Sequence, residues 1–154
     1  MADETNQLRV RLVTPERTFF EQAAATVELP SKSGYFEVLY GHAPLVAELG
    51  AGDVIIRGAA DPKAGQAGSP SGDPASVLRY NVSWGFVEVL GDRVTILAAD
   101  ALKPEEIDVP RAEQQLDRGH KEWNEAGDSE EAYDNALRVI AEAEAKLATA
   151  AEKH

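Results

Sequence analysis

The chain holds three histidines, His42, His120 and His154, and no cysteine. A protein metal site needs several His, Cys or carboxylate ligands at short, characteristic spacings. Here each histidine stands alone, one in a turn, one on a helical stretch and one at the last position, so no metal ligand is assigned. Thiolate and disulfide chemistry are excluded by composition. Ser31, Ser33 and Ser83 lack the strand–turn–helix setting of a nucleophile elbow. Gly50-Ala51-Gly52 and the glycines from Gly65 to Gly72 lack the strand–glycine–helix order that aims N–H groups at a phosphate. The 27 carboxylates read more simply as a solvated acidic surface than as a general acid/base pair. No catalytic residue is assigned, and an enzyme is not expected. Interaction is the better reading. Tyr35 to Leu39 and Leu45 to Leu49 are apolar at more positions than one buried face requires, with His42 and Pro44 at the turn between them. A two-sided core strand and a docking surface explain these stretches equally well.

Whatever docks there must be positioned by a folded scaffold, and composition permits one. Hydrophobic residues make up 44% of 154 positions, enough for a packed core. Net charge is −12 with a sequence pI near 4.6, which argues against nucleic acid and against electrostatic attraction to anionic lipid. No apolar run approaches the ~20 residues that cross a bilayer, so direct membrane insertion is not expected. Met1-Ala2-Asp3-Glu4-Thr5 has neither the basic nor the apolar region of a signal peptide. A soluble, intracellular protein is expected.

The stretch from Ala101 to Ala112 divides the chain. Before it, apolar residues alternate at a period near two; after it they recur every three or four residues. Pro104 disfavours a helix through Lys103, Asp108 is a good N-cap, and Pro110 falls in a first helical turn. Strands are expected over Leu8–Val13, from Thr18, over Ala25–Leu29 (ended by Pro30), Tyr35–Tyr40, Leu45–Leu49 and Val54–Arg57. Three more follow at Val77–Val82, Trp84–Leu90 and Arg93–Ala98, the last two joined by a Gly91-Asp92 hairpin turn. Residues 58–75, without a large apolar side chain, read as an exposed insertion within this module. Many short strands with Gly/Pro turns predict an antiparallel β-sandwich, residues 1–103. Residues 104–154 then form an antiparallel two-helix hairpin. Its first apolar stripe is Val109, Ala112, Leu116 and Trp123, with Gly119 on the same face. The second is Tyr133, Ala136, Leu137, Ile140, Ala143 and Leu147. Gly127 suits the C-terminus of the first helix, and Asp128 with Glu131 resembles a capping box. The Ala-rich seam should hold weakly.

Four segments in register resemble one family. They are Val13-Thr14-Pro15-Glu16-Arg17, Gly41-His42-Ala43-Pro44-Leu45, Trp84-Gly85-Phe86-Val87-Glu88-Val89 leading to Val94–Ala98, and Ile107-Asp108-Val109-Pro110-Arg111-Ala112. Together they resemble the epsilon subunit of bacterial and organellar F-type ATP synthases. The resemblance implies a non-catalytic central-stalk subunit whose sandwich grips gamma and touches the c ring, on the cytoplasmic side of the bacterial inner membrane. It places partner contacts near Glu37, Leu39, His42 and Pro44. It also implies that the hairpin can open toward the alpha and beta subunits of the catalytic head and restrain ATP hydrolysis. The alternative is a free-standing β-sandwich that binds a ligand or protein, with a helical tail.

The family's ATP-binding members share the Ile-Asp-x-x-Arg-Ala motif, which implies Asp108, Arg111 and Arg118 as nucleotide-binding residues. No tightly held cofactor is implied, only ATP as a weak regulatory ligand. The chain departs from the family where glycine-glutamate-leucine-glycine is common, reading Gly34 to Tyr40 with bulky residues instead. Leu102 stands where ATP-binding members carry an acidic residue, and the second helix offers only Arg138 and Lys146 near the expected arginines.

Overall fold

The computed structural model describes residues 6–59 and 77–152. The chain divides into two compact units, with the boundary between Ala101 and Leu102. Most of the expected insertion at 58–75 lies outside the described residues.

The first unit is a mixed sheet of eight strands: β1 (Leu8–Val13), β2 (Thr18–Ala24), β3 (Thr26–Ser31), β4 (Gly34–Leu39), β5 (Leu45–Leu49), β6 (Gly52–Arg57), β7 (Val77–Leu90) and β8 (Arg93–Leu102). The order is β2-β1-β8-β7-β5-β3-β4, with β6 bridging β3 and β7. Alternation of Leu8, Val10 and Leu12 with Arg9 and Arg11 makes β1 two-faced, and its apolar side is wholly buried. The same logic buries Val87 and Val89 of β7 and Val94 and Ile96 of β8. These side chains and those of Val27, Leu29, Val38, Val54 and Ile56 form one core between two layers. Each contributes on the order of 1.5–3 kcal/mol by leaving water.

Three local readings are corrected. First, the sandwich is not antiparallel throughout: β1 runs parallel to β8, Arg9 opposite Arg93 and Leu12 opposite Ile96. Nearly the whole unit separates these strands in sequence, which supplies the long crossover a parallel pair requires. Second, Pro30 lies inside β3 opposite Tyr35 instead of ending it. Pairing with β6 covers only Thr26 to Glu28, so no ladder donor is needed at Pro30 on that side. Its carbonyl instead accepts the Gly50 N–H at 2.9 Å. Third, Val77–Val82 and Trp84–Leu90 are one strand, bent where two successive residues have positive φ, Trp84 at 57° and Gly85 at 125°. Before the bend β7 pairs with β6; after it, with β5. Since β3 pairs with β6 and, at Ser31, with β5, the strands β3, β6, β7 and β5 close a ring.

The second unit begins with a single 3-10 turn, Pro104–Glu106. The Lys103 N–H donates to the Glu106 carboxylate at 3.0 Å. Two helices follow, α1 (Val109–Glu125) and α2 (Glu130–Ala151). Asp108 caps α1, its carboxylate accepting the Arg111 N–H at 3.1 Å, and Pro110 sits in the first turn. Gly127 takes a left-handed φ of 59° just past α1. The cap of α2 is Ser129, whose hydroxyl accepts the Ala132 N–H at 3.2 Å, so the box expected at Asp128 does not form. The seam is small-residue packing: Ala112, Gly119, Ala136, Ala143 and Thr149 are buried, and a Cβ on Gly119 would strike Ile140. Leu137, expected on the seam, is 51% exposed. Trp123 meets Tyr133 edge to face at 5.6 Å, and Gln115 donates to the Glu142 carboxylate at 3.0 Å.

Candidate functional site

Alternation leaves several large apolar side chains of the sandwich outside its core. Val46 on β5 is 69% exposed, Phe86 on β7 55% and Leu97 on β8 53%. Glu48 stands opposite Phe86 and Glu88 opposite Val46, so carboxylates flank the apolar band. An apolar centre with a charged rim is the ordinary composition of a protein interface. Sequence reading flagged Leu45–Leu49 for its surplus of apolar positions but did not single out Phe86 or Leu97. The signal was available: both sit one residue from a fully buried neighbour in an alternating strand.

A second patch lies at the end of β4, an outer strand of the sheet. Leu39 and Tyr40 are about half exposed, and Glu37 points outward with them. Gly41, at φ 88°, turns the chain, and the His42 N–H closes the turn on the Leu39 carbonyl at 3.0 Å. The His42 ring reaches the Ala43 carbonyl at 2.6 Å through Nδ1, which donates there. Pro44 is exposed and stiffens the exit from the turn. The structure thus gathers Glu37, Leu39, His42 and Pro44 along one β4–turn–β5 corner. The bulky residue at position 35 has a structural use: the Tyr35 hydroxyl accepts the Asp53 N–H at 3.0 Å, passing over Gly52, where a side chain would collide with it. Asp53 in turn holds Arg79 at 2.9 Å.

The three residues implied for nucleotide separate. Arg111 and Arg118, seven apart and so on one face of α1, line a groove of about 430 Å³ with Gln114 and Gln115. Asp108 does not line it; its carboxylate is engaged at the helix cap. Arg118 also leans on Glu122, at 3.6 Å. Among the described residues there is no cluster of three potential metal ligands.

A family model described as "ATP synthase, Delta/Epsilon chain, beta-sandwich domain" matches residues 7–66. The chain is 35% identical to the ATP synthase epsilon chain of Solibacter usitatus over 147 residues, 95% of this chain and 97% of that one. The chain belongs to the ATP synthase epsilon-chain family. The Koribacter versatilis epsilon chain is 36% identical over 118 residues, 75% of this chain and 71% of that one. In fold, the chain is similar to one from the Euglena gracilis mitochondrial ATP synthase (OSCP/F1/c-ring), with a TM-score of 0.72 at 18% identity over 96% of this chain and 83% of that one. As an epsilon chain it is a non-catalytic central-stalk subunit, a peripheral part of the ATP synthase. No helix among the described residues is long and apolar enough to cross a membrane.

Proposed function

We propose that this epsilon chain couples c-ring rotation to the catalytic head by gripping gamma with the β5–β7–β8 face and touching the c ring with the β4–β5 corner. The carrying observation is the exposed band of Val46, Phe86 and Leu97, which a free-standing sandwich would have reason to cover. Glu37, Leu39, His42 and Pro44 form the second contact, on the cytoplasmic side of the inner membrane. Pull-down of the tagged chain from membrane extracts of its own cells tests this. Recovery of gamma and c subunits is expected; their reproducible absence rejects the assignment. Phe86→Asp should lower gamma recovery at least tenfold, with Leu39→Asp acting on the c subunits first.

The helical hairpin restrains ATP hydrolysis only mildly in this reading. In sequence, the second helical stretch carries Glu130, Glu131, Asp134, Glu142, Glu144 and Glu152 against only Arg138, Lys146 and Lys153. The catalytic subunits' acidic surfaces, implied by the family resemblance, would repel such a helix. ATP is a weak regulatory ligand of the groove at Arg111 and Arg118, supported by the two arginines lining that one groove. Equilibrium dialysis of ATP against wild type and Arg111→Ala tests it; equal binding by both proteins rejects this site.

A further inference from the structure

In this acidic chain one groove is built from cations. Arg9 and Arg11 of β1 and Arg93 of β8 line it with Thr95, over a volume of about 470 Å³. The parallel register sets Arg9 opposite Arg93 and Arg11 opposite Thr95. Because β1 buries Leu8, Val10 and Leu12, these side chains must rise together on the outer face. Neighbouring strands lie ~4.8 Å apart and alternate residues ~6.8 Å apart, so the guanidiniums spring from a triangle of about that size. The frame is fixed from beneath, the Arg9 N–H donating to the Asp92 carbonyl at 2.7 Å.

Two carboxylates share the groove, Glu21 and Asp92. Glu21 leans on Arg11 at 3.8 Å. Among the described residues, the guanidiniums of Arg9 and Arg93 have neither a hydrogen bond nor an ion pair. Like charges directly opposite on adjacent strands destabilise a sheet. Here that arrangement is built into the outer face of the sandwich, with Thr95 two residues from Leu97 along β8.

We propose that this groove binds a phosphate-bearing small anion, with Arg9 and Arg93 clamping one phosphoryl group and Arg11 with the Thr95 hydroxyl reaching a second. Guanidinium forks match phosphate oxygens in pairs, which an ammonium cannot do. The triangle suits a di- or triphosphate better than a lone carboxylate. This site is distinct from the one proposed on α1 and does not depend on it.

The probe is inorganic pyrophosphate, titrated into the full chain at constant ionic strength set with potassium chloride and followed by backbone amide NMR. Saturable shifts at Val10, Arg93 and Thr95 are expected, with a dissociation constant below about 1 mM. Arg9→Gln/Arg93→Gln should weaken binding at least tenfold, and Arg93→Lys should weaken it severalfold while keeping the charge. Circular dichroism checks that each variant is folded. The double variant Arg111→Ala/Arg118→Ala should bind pyrophosphate at this groove as wild type does. Four results overturn the proposal: no saturation by 10 mM, on the order of ten times that constant; unchanged affinity in the Arg9/Arg93 variant; loss of these shifts in the α1 variant; or a response to poly-glutamate but not to pyrophosphate.

Discussion

The sandwich and the hairpin are held together by different physics. Among the described residues, every large side chain that is fully buried, from Leu8 to Ile96, belongs to the sandwich. Among its described residues the hairpin buries only Ala112, Gly119, Ala126, Ala136, Ala143 and Thr149. Sandwich strands exist because distant residues pair and cover one another; Leu12 and Ile96 are neighbours only when the unit is complete. Helix hydrogen bonds are local, and alanine favours helix with or without a partner. A unit of the first kind is all or none. A unit of the second kind can lose its seam and keep its helices, which is what a part that opens needs.

The largest expected effect is at the bend of β7. Gly85 has φ 125°, and a Cβ there would run into the Leu97 carbonyl. Gly85→Ala should therefore destabilise the sandwich by ~3 kcal/mol or more. Urea unfolding followed by near-ultraviolet circular dichroism measures it; a loss under about 1 kcal/mol would show the strand can straighten. The hairpin's counterpart is Gly119→Ala, where the obstacle is a movable Ile140 side chain and helix propensity gains about 1 kcal/mol. Helix content should survive that change while interhelical contact, read from Trp123 fluorescence, loosens.

Next in size is Leu12→Ala, which leaves a cavity in the core and should cost about 2–5 kcal/mol. Leu137→Ala, at a half-exposed position, should cost under about 1 kcal/mol. Equal losses would erase the contrast between the units.

These differences also explain what the sequence could show. Alternation located Leu8–Val13 and Leu45–Leu49 to the residue, and the change of period located α1 and α2, because each pattern is local. The parallel β1–β8 pair was invisible, since pairing direction between strands eighty residues apart leaves no local trace. Pro30 misled because a missing donor ends a strand only where a neighbour needs it, and its neighbour changes there from β6 to β5. Trp84 gave no sign of a left-handed backbone, a conformation its side chain disfavours. At the corner, Gly41, His42 and Pro44 announced themselves by turn chemistry. Arg9, Arg11 and Arg93 did not, because sequence shows two as an alternating pair and leaves the third across the unit.

A third effect is functional. Truncation after Asp108 should raise ATP hydrolysis by the assembled complex less than tenfold, under ~1.4 kcal/mol of lost restraint. A larger rise would show that the acidic α2 docks strongly and that reading its charge as weak docking is wrong. The smallest effect is Ser129→Ala, which removes the α2 cap and should lower the hairpin's stability by about 1 kcal/mol without moving the sandwich's unfolding midpoint. A shift of both transitions together would show that the two units melt as one.

The ring of β3, β6, β7 and β5 has a mechanical consequence. In two separate stacked sheets, a sideways load is resisted only by side-chain friction between the layers. Here β7 runs through the bend at Trp84–Gly85 from a partner in one layer to a partner in the other, and β3 joins the circuit from the opposite side. Sliding one layer would have to rupture ladder hydrogen bonds, and the filled core between the layers is nearly incompressible. A component carried on a turning shaft is useful only if it is torsionally stiff, so that angular displacement at one contact reaches the other without being absorbed as elastic twist. The bent strand supplies that stiffness within a unit of about a hundred residues.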